Sequence, residues 1–221
     1  MTRKAFVAGV GMTPFTKPGQ NEPYTEMGAA AIRAALADAG LDYSAVQQAY
    51  AGYVYGDSTC GQGVIYKVGM SGIPIVNVNN NCSTGSSALF LARQAVTAGI
   101  VDCALAVGFE QMNPGALGTI YTDRPSPTDA FGEEADDLVG DLGIPSALRL
   151  FGGAGKSHMD KHGTTIEDFA RIRAKASRHA GNNPKAVFRA ELTPQDVLDS
   201  PMMWPGVMTR LMACPPTCGG A

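Results

Sequence analysis

The sequence has no long apolar run and no block of lysine or arginine. A helix that crosses a bilayer needs about 20 consecutive apolar residues, and no run approaches that length. The 17 basic and 20 acidic side chains give a net charge of −3, which argues against a nucleic-acid-binding surface. Internal repeats and low-complexity tracts are also absent. With 45% hydrophobic residues, the composition is that of a globular protein.

The N-terminal segment and the cysteines do not suggest secretion. "MTRKAFVAGVGM" places basic residues before an apolar stretch that is too short for a signal peptide and lacks a cleavage site, so we expect a first strand there. The five cysteines are an odd number at irregular spacings. We therefore expect reduced thiols in a cytosol-like compartment.

Strands and helices are predicted to alternate through the first half of the chain. Residues 103–109, "CALAVGF", are typical of a fully buried strand, and Gly40 and Gly99 are expected to end helices. This alternation predicts a parallel α/β sheet covered on both faces. The predicted strands are residues 4–10, 48–55, 75–80 and 103–109, and the predicted helices are residues 25–39, 62–68 and 83–98.

The pattern changes after about residue 111. Prolines predict a loop-rich stretch with three or four helices, of which one, at residues 165–180, begins with a capping box of Thr165 and Asp168. We expect this stretch to lie over one end of the sheet, where substrate loops usually sit. The predicted division is residues 1–111, an inserted region at 112–201, and a return to the first part at 202–221. The last segment, "RLMACPPTCGGA", predicts the start of a strand, so we expect a fragment of a longer protein.

Cys82 stands out in "NVNNNCSTGSSALFLARQA", which runs from Asn77 to Ala95. A strand followed by a sharp turn into a helix places this residue at the carboxyl end of the sheet, where open α/β folds bind ligands. The helix N-terminus favours negative charge, and hence a nucleophilic thiolate. A buried structural cysteine is the alternative, and position alone leaves both interpretations open.

Three stretches decide the family prediction: "GYVYGDSTCGQ", "GIPIVNVNNNCSTGSSALFLARQ" and "ALAVGFEQM". Together with "FGGAGKSHMDKHGTTIEDFA" they closely resemble the thiolase superfamily, in particular 3-oxoacyl-CoA thiolases of the sterol carrier protein x type. The resemblance runs from about Val7 to Cys214. It implies a thiolase-like α/β fold of two similar βαβαβαββ halves. The chain would comprise the N-terminal half and its inserted loop domain, without the C-terminal half.

The resemblance also implies a reaction. Cys82 falls on the acyl-accepting cysteine of the family, which attacks a 3-oxoacyl-CoA, releases acetyl-CoA and passes the acyl group to free CoA. CoA is then a substrate, and no cofactor is expected. His158 and Met159 match a pair that lies against the pantetheine arm in related thiolases. The strand at residues 75–81 corresponds to one that pairs across a subunit interface, so a homodimer or hetero-oligomer is expected. The compartment would be the cytoplasm in a bacterium or the peroxisome in a eukaryote.

Several parts of the thiolase machinery do not match. The family takes a proton-accepting histidine, a second cysteine and part of its oxyanion hole from motifs of the second half, and none of these occurs here. Cys218 lies too early, at the wrong spacing, to be that second cysteine. We therefore expect this chain alone not to catalyse thiolysis. The alternative is a non-catalytic or partner-dependent subunit that binds lipid or acyl-CoA.

Other local patterns predict no further site. "FGGAGKS", residues 151–157, is similar to the end of a phosphate-binding loop, but Leu150 occupies the position of its first glycine. His158 and His162 would share a helix face, yet no third ligand is evident, so no metal site is expected. "CPPTC" has three residues between its thiols, and we interpret it as a loop rather than a redox pair.

Overall fold

The computed structural model describes residues 3–114 and 121–221. These residues divide into a first unit, residues 3–114 with 216–221, and a second unit, residues 121–215. Two short 3-10 turns, Tyr43–Ala45 and Arg210–Met212, accompany the main elements. In chain order those elements are α1 (Tyr24–Ala39), β1 (Gln48–Gly52), α2 (Cys60–Ile65), β2 (Ile75–Val78), α3 (Thr84–Thr97), β3 (Ala104–Glu110), α4 (Asp129–Val139), α5 (Ser146–His162), α6 (Ile166–Gly181), α7 (Pro194–Leu198), β4 (Met202–Trp204), β5 (Met208–Thr209) and β6 (Gly219–Gly220).

The sheet of the first unit has the strand order β2-β1-β3-β6. The central strand β1 runs parallel to both of its neighbours, with Gly52 opposite Val78 on one side and Gly108 on the other. Parallel neighbours require crossover connections, which α2 and α3 supply here. The predicted parallel α/β sheet is therefore confirmed. The strand predicted near the chain end is limited to β6, which pairs antiparallel with β3.

Both faces of this sheet are covered, because successive side chains of a strand point to opposite faces. Ala49 and Ala51 of β1 join α1 and α2 in one core, which also contains Leu105, Val107 and Phe109 of β3. Tyr50 points to the other face and packs with the small side chains of α3, namely Ala88, Ala92 and Ala95. The all-alanine stripe lets α3 approach the sheet closely.

Most predicted boundaries hold to within three residues. α1 ends where predicted, with Gly40 in the left-handed conformation at φ 65°. The strand predicted at residues 48–55 stops at Gly52 instead. Beyond this point the N–H groups of Val54 and Tyr55 donate to the Glu110 carboxylate, so they do not continue the sheet.

The strand predicted at residues 4–10 is wrong. This segment forms no strand and lies against α1, where a Cβ on Gly9 would come within 2.4 Å of the Ala35 carbonyl oxygen. Phe6 is 82% exposed and Val7 is 72% exposed. The apolar residues that suggested a buried strand therefore remain at the surface of the described residues.

The second unit is mainly helical. It contains α4 to α7 and the short antiparallel pair of β4 and β5, so the prediction of three or four helices is confirmed. The capping box at the start of α6 is also confirmed, with Thr165 and Asp168 each bonding the other's backbone N–H. α5 and α6 have 17 and 16 residues, so this region has less loop than its prolines suggested. The segment similar to a phosphate-binding loop lies inside α5, where its backbone belongs to a helix.

Candidate active site

Thr84 fixes the turn that connects β2 to α3. It is buried, and its hydroxyl donates to the Asn81 carbonyl oxygen at 2.5 Å and accepts from the Asn80 N–H at 2.8 Å. Asn81 has φ +46°, in the left-handed region that asparagine tolerates better than most residues. The turn that holds Cys82 is thus tied to the first residue of α3.

Gly52 allows the first turn of α3 to lie on the carboxyl end of β1. A Cβ on Gly52 would come within 2.8 Å of Thr84 Cγ2 and 2.9 Å of the Thr84 carbonyl oxygen. Any side chain at Gly52 would therefore push the helix away from the sheet.

Cys82 belongs to this turn and directly precedes Ser83, the N-terminal cap residue of α3. It is an exposed free thiol, whereas Cys60 and Cys218 are buried and Cys103 is half-buried. Cys214 is also exposed, but it belongs to the second unit. The alternative of a buried structural thiol is therefore wrong for Cys82. Its sulfur is reachable from solvent at the N-terminal end of a 14-residue helix, where the helix dipole favours negative charge.

The asparagines before Cys82 have separate local partners. The Asn77 side chain accepts from the Gly61 N–H at 2.9 Å and donates to Gln62 Oε1 at 2.8 Å, which joins β2 to α2. Asn80 donates from its side-chain amide to Ser87 Oγ at 3.0 Å. These hydrogen bonds give two of the asparagines a reason to stand at the end of a strand that disfavours them.

Glu110 is a site residue that the sequence interpretation missed. It ends β3, and its two carboxylate oxygens accept from the Val54 N–H at 2.9 Å and the Tyr55 N–H at 3.1 Å. Burial raises the pKa of this carboxyl group, while hydrogen bonds from backbone N–H groups act in the opposite direction. The available signal was a single acidic residue directly after a continuous apolar strand.

His158 and Met159, the predicted substrate-binding pair, lie near the end of α5 in the second unit. His158 is exposed and its Nδ1 lies 2.9 Å from the Thr164 hydroxyl. Its ring also lies 4.6 Å from the His162 ring, so the predicted shared helix face is confirmed. Cys82 belongs to the first unit, and the binding role of this pair stays a prediction.

The described parts of the chain contain neither a cluster of metal ligands nor a helix that could cross a membrane. Within residues 3–114 and 121–221, no three histidine, cysteine, aspartate or glutamate side chains form a group that could hold a metal ion. None of the helices in the same ranges has both the length and the hydropathy that crossing a membrane requires.

Comparison with known families decides what this arrangement is. The model of the thiolase N-terminal domain matches residues 5–201. This chain belongs to the thiolase family. Its parallel sheet, with a free cysteine before the helix that follows β2, is a thiolase-like α/β fold, as the sequence predicted.

Individual thiolase relatives agree with this assignment. The chain is 48% identical to human sterol carrier protein 2 over 225 residues, which cover 99% of the chain and 40% of that protein. The solved structure of the Ltp2-ChsH2(DUF35) aldolase matches with a TM-score of 0.74 at 24% identity, over 96% of this chain and 53% of that one. Human mitochondrial 3-ketoacyl-CoA thiolase, in complex with CoA, matches with a TM-score of 0.68 at 16% identity, over 97% and 62%. The chain thus spans less than two thirds of the length of each of these proteins.

Proposed function

We propose that this chain is the acyl-accepting part of a 3-oxoacyl-CoA thiolase, with Cys82 as the residue that carries the acyl group. The observation that supports this most is the Cys82 thiol, which is free and exposed at the N-terminus of α3. Membership of the thiolase family makes acyl transfer the chemistry to expect of such a thiol. Of the other three thiols in the first unit, Cys60 and Cys218 are buried and Cys103 is half-buried.

In the proposed reaction the Cys82 sulfur forms a bond to the 3-keto carbon of a 3-oxoacyl-CoA. The bond between carbons 2 and 3 then breaks, and its electron pair leaves with the acetyl-CoA enolate. The thiol proton must be accepted by a base, and the enolate must receive a proton from an acid. We assign both of these groups to protein outside this chain. Free CoA then attacks the thioester carbon, which releases acyl-CoA and restores the thiol.

We assign the pantetheine arm of CoA to His158 and Met159, where the exposed imidazole can donate or accept a hydrogen bond and the half-buried methionine offers an apolar contact. CoA is a substrate in this scheme, and no resident cofactor is proposed. The solved structure of human mitochondrial 3-ketoacyl-CoA thiolase, whose fold is similar, contains that protein in complex with CoA.

A second candidate function is a partner-dependent subunit that binds lipid or acyl-CoA without completing catalysis. The relationship to human sterol carrier protein 2 favours it, and so does the structural match to an aldolase made of two named components. β2 is an edge strand of the described sheet, and its Val76 is 37% exposed. Such an edge can pair with a second copy or with another subunit, so we propose an oligomer formed through residues 75–81.

The two candidates are separated by mass spectrometry of the chain after incubation with acetyl-CoA. We expect an acetyl adduct on Cys82, because this thioester exchange is the reverse of the last step above: the Cys82 sulfur attacks the thioester carbon and CoA leaves as the free thiol. Cys82→Ser should abolish the adduct. Cys214→Ser, the matched control that removes an exposed thiol of the second unit, should leave it intact. Sustained thiolysis by the chain alone is not expected.

Each other outcome has a clear meaning. Acyl-CoA binding without any adduct on Cys82 would refute the acyl-carrier role and favour the binding subunit. Equal adducts on Cys82 and Cys214 would show unselective thiol chemistry and would also refute it. Ordinary turnover of acetoacetyl-CoA and CoA by the purified chain would refute the assignment of the acid and base to protein outside it.

A further inference from the structure

The Glu110 carboxylate holds the segment that follows β1. In a sheet the N–H groups of Val54 and Tyr55 would bond to a neighbouring strand, but here both donate to this one side chain. Removing a carboxylate from water is costly unless hydrogen bonds replace the lost hydration. Two backbone donors at 2.9 and 3.1 Å supply that replacement and fix where the segment leaves the sheet.

The same segment runs beside the turn that bears Cys82. The Tyr53 N–H donates to the Val78 carbonyl oxygen at 3.3 Å, so the chain after β1 and the chain after β2 leave the sheet side by side. Gly52 contacts Thr84 on the other side of this turn. Tyr55 and Cys82 are therefore placed at the same edge of the sheet, each a few residues beyond paired strand ends.

Electrostatics agree with this placement. Burial raises the pKa of the half-buried Tyr55 phenol, and the charges of Glu110 and of an ionised Cys82 raise it further. These charge effects agree with the backbone hydrogen bonds, which place Tyr55, Glu110 and Cys82 at the same edge of the sheet.

We propose that Glu110 is a positioning residue that holds the Tyr55 ring as one wall of the space beside the Cys82 sulfur, so that this ring limits the size of the group that the sulfur can accept. The inference deepens the proposed function, because it names what would select the acyl group at Cys82. The proposed position of the Tyr55 ring depends only on residues of the first unit.

Cysteine labelling with two maleimides of different size tests the wall without any acyl-CoA. The rates of N-ethylmaleimide and the larger pyrene maleimide are measured at Cys82 and, in the same sample, at the exposed reference thiol Cys214 by peptide mass spectrometry. Tyr55→Ala should raise the rate of pyrene maleimide at Cys82, relative to the rate of N-ethylmaleimide, by about tenfold. Loss of the ring would leave room beside the sulfur for a group at least as large as a side-chain group. Tyr55→Phe keeps the ring, so the ratio of the two labelling rates should equal that of the natural protein.

Glu110→Gln should shift the ratio in the same direction as Tyr55→Ala, because one of its two acceptor oxygens becomes an N–H donor that faces a backbone N–H. Asp38→Asn is the matched control, since Asp38 also accepts a backbone N–H, from Val10, but lies on α1. It should leave the ratio unchanged. Circular dichroism checks that each variant is folded, and Glu110→Asp replaces Glu110→Gln if the latter is not.

An unchanged ratio in Tyr55→Ala would overturn the wall. An unchanged ratio in a folded Glu110 variant would overturn the positioning role. Because the labels are not substrates, a shifted ratio together with absent acylation of Cys82 by acetyl-CoA would support the wall and refute the proposed function instead.

Discussion

Gly52→Ala is predicted to destabilise the first unit, because the new methyl group has no room. Its Cβ would lie 2.8 Å from Thr84 Cγ2, 2.9 Å from the Thr84 carbonyl oxygen and 3.1 Å from the carbonyl carbon, whereas ordinary contacts of this kind begin at 3.4 Å. Two of these three atoms belong to the backbone of α3, so rotation of a side chain cannot relieve the contact. The helix or β1 must move by roughly 0.6 Å, and overpacking of this kind costs about 1–3 kcal/mol.

The assay is urea unfolding followed by circular dichroism, with Gly85→Ala as the matched control. Gly85 lies in the first turn of the same helix, and no atom would lie within 4 Å of an added Cβ there. This control should be neutral or gain about 0.5–1 kcal/mol, because alanine is a better helix former than glycine. If Gly52→Ala unfolds at the same urea concentration as the natural protein, α3 is not packed on β1 as described.

Two further predictions concern the core and the half-buried carboxylate of Glu110. Ile32→Ala, at a residue of α1 that is 1% exposed, should lower the free energy of unfolding by about 2–5 kcal/mol in the same urea assay; a loss under 1 kcal/mol would mean that α1 does not cover the sheet. Because burial raises the pKa of Glu110 in the folded state, this group favours folding most below its usual pKa, and that contribution is lost as the pH rises through the raised value. The stability of the natural protein relative to Glu110→Gln should therefore fall as the pH rises above about 4, the ordinary pKa of a glutamate, and the opposite trend would contradict a raised pKa at Glu110.

The sequence by itself determined the elements whose causes are local. The alternation of strands and helices predicted the parallel sheet, Gly40 predicted the end of α1, and the Thr165 and Asp168 pair predicted the start of α6. The sequence also placed Cys82 between a strand predicted to end at Asn80 and a helix predicted to begin at Ser83; in the structure these ends are Val78 and Thr84. Each of these signals depends on neighbours within a few residues of the chain.

Only the tertiary structure decided where such elements touch one another. Residues 4–10 are as apolar as a strand, but they lie against α1 and leave Phe6 exposed. Val54 and Tyr55 do not continue β1, because their N–H groups donate to the carboxylate of Glu110, which lies 55 residues after Tyr55. Glu110 reaches them because the register of β1 against β3 sets Gly52 opposite Gly108, and register is fixed by packing between segments that are distant in sequence. Residue type and spacing therefore placed Cys82 between a strand and a helix, while long-range packing decided what surrounds it.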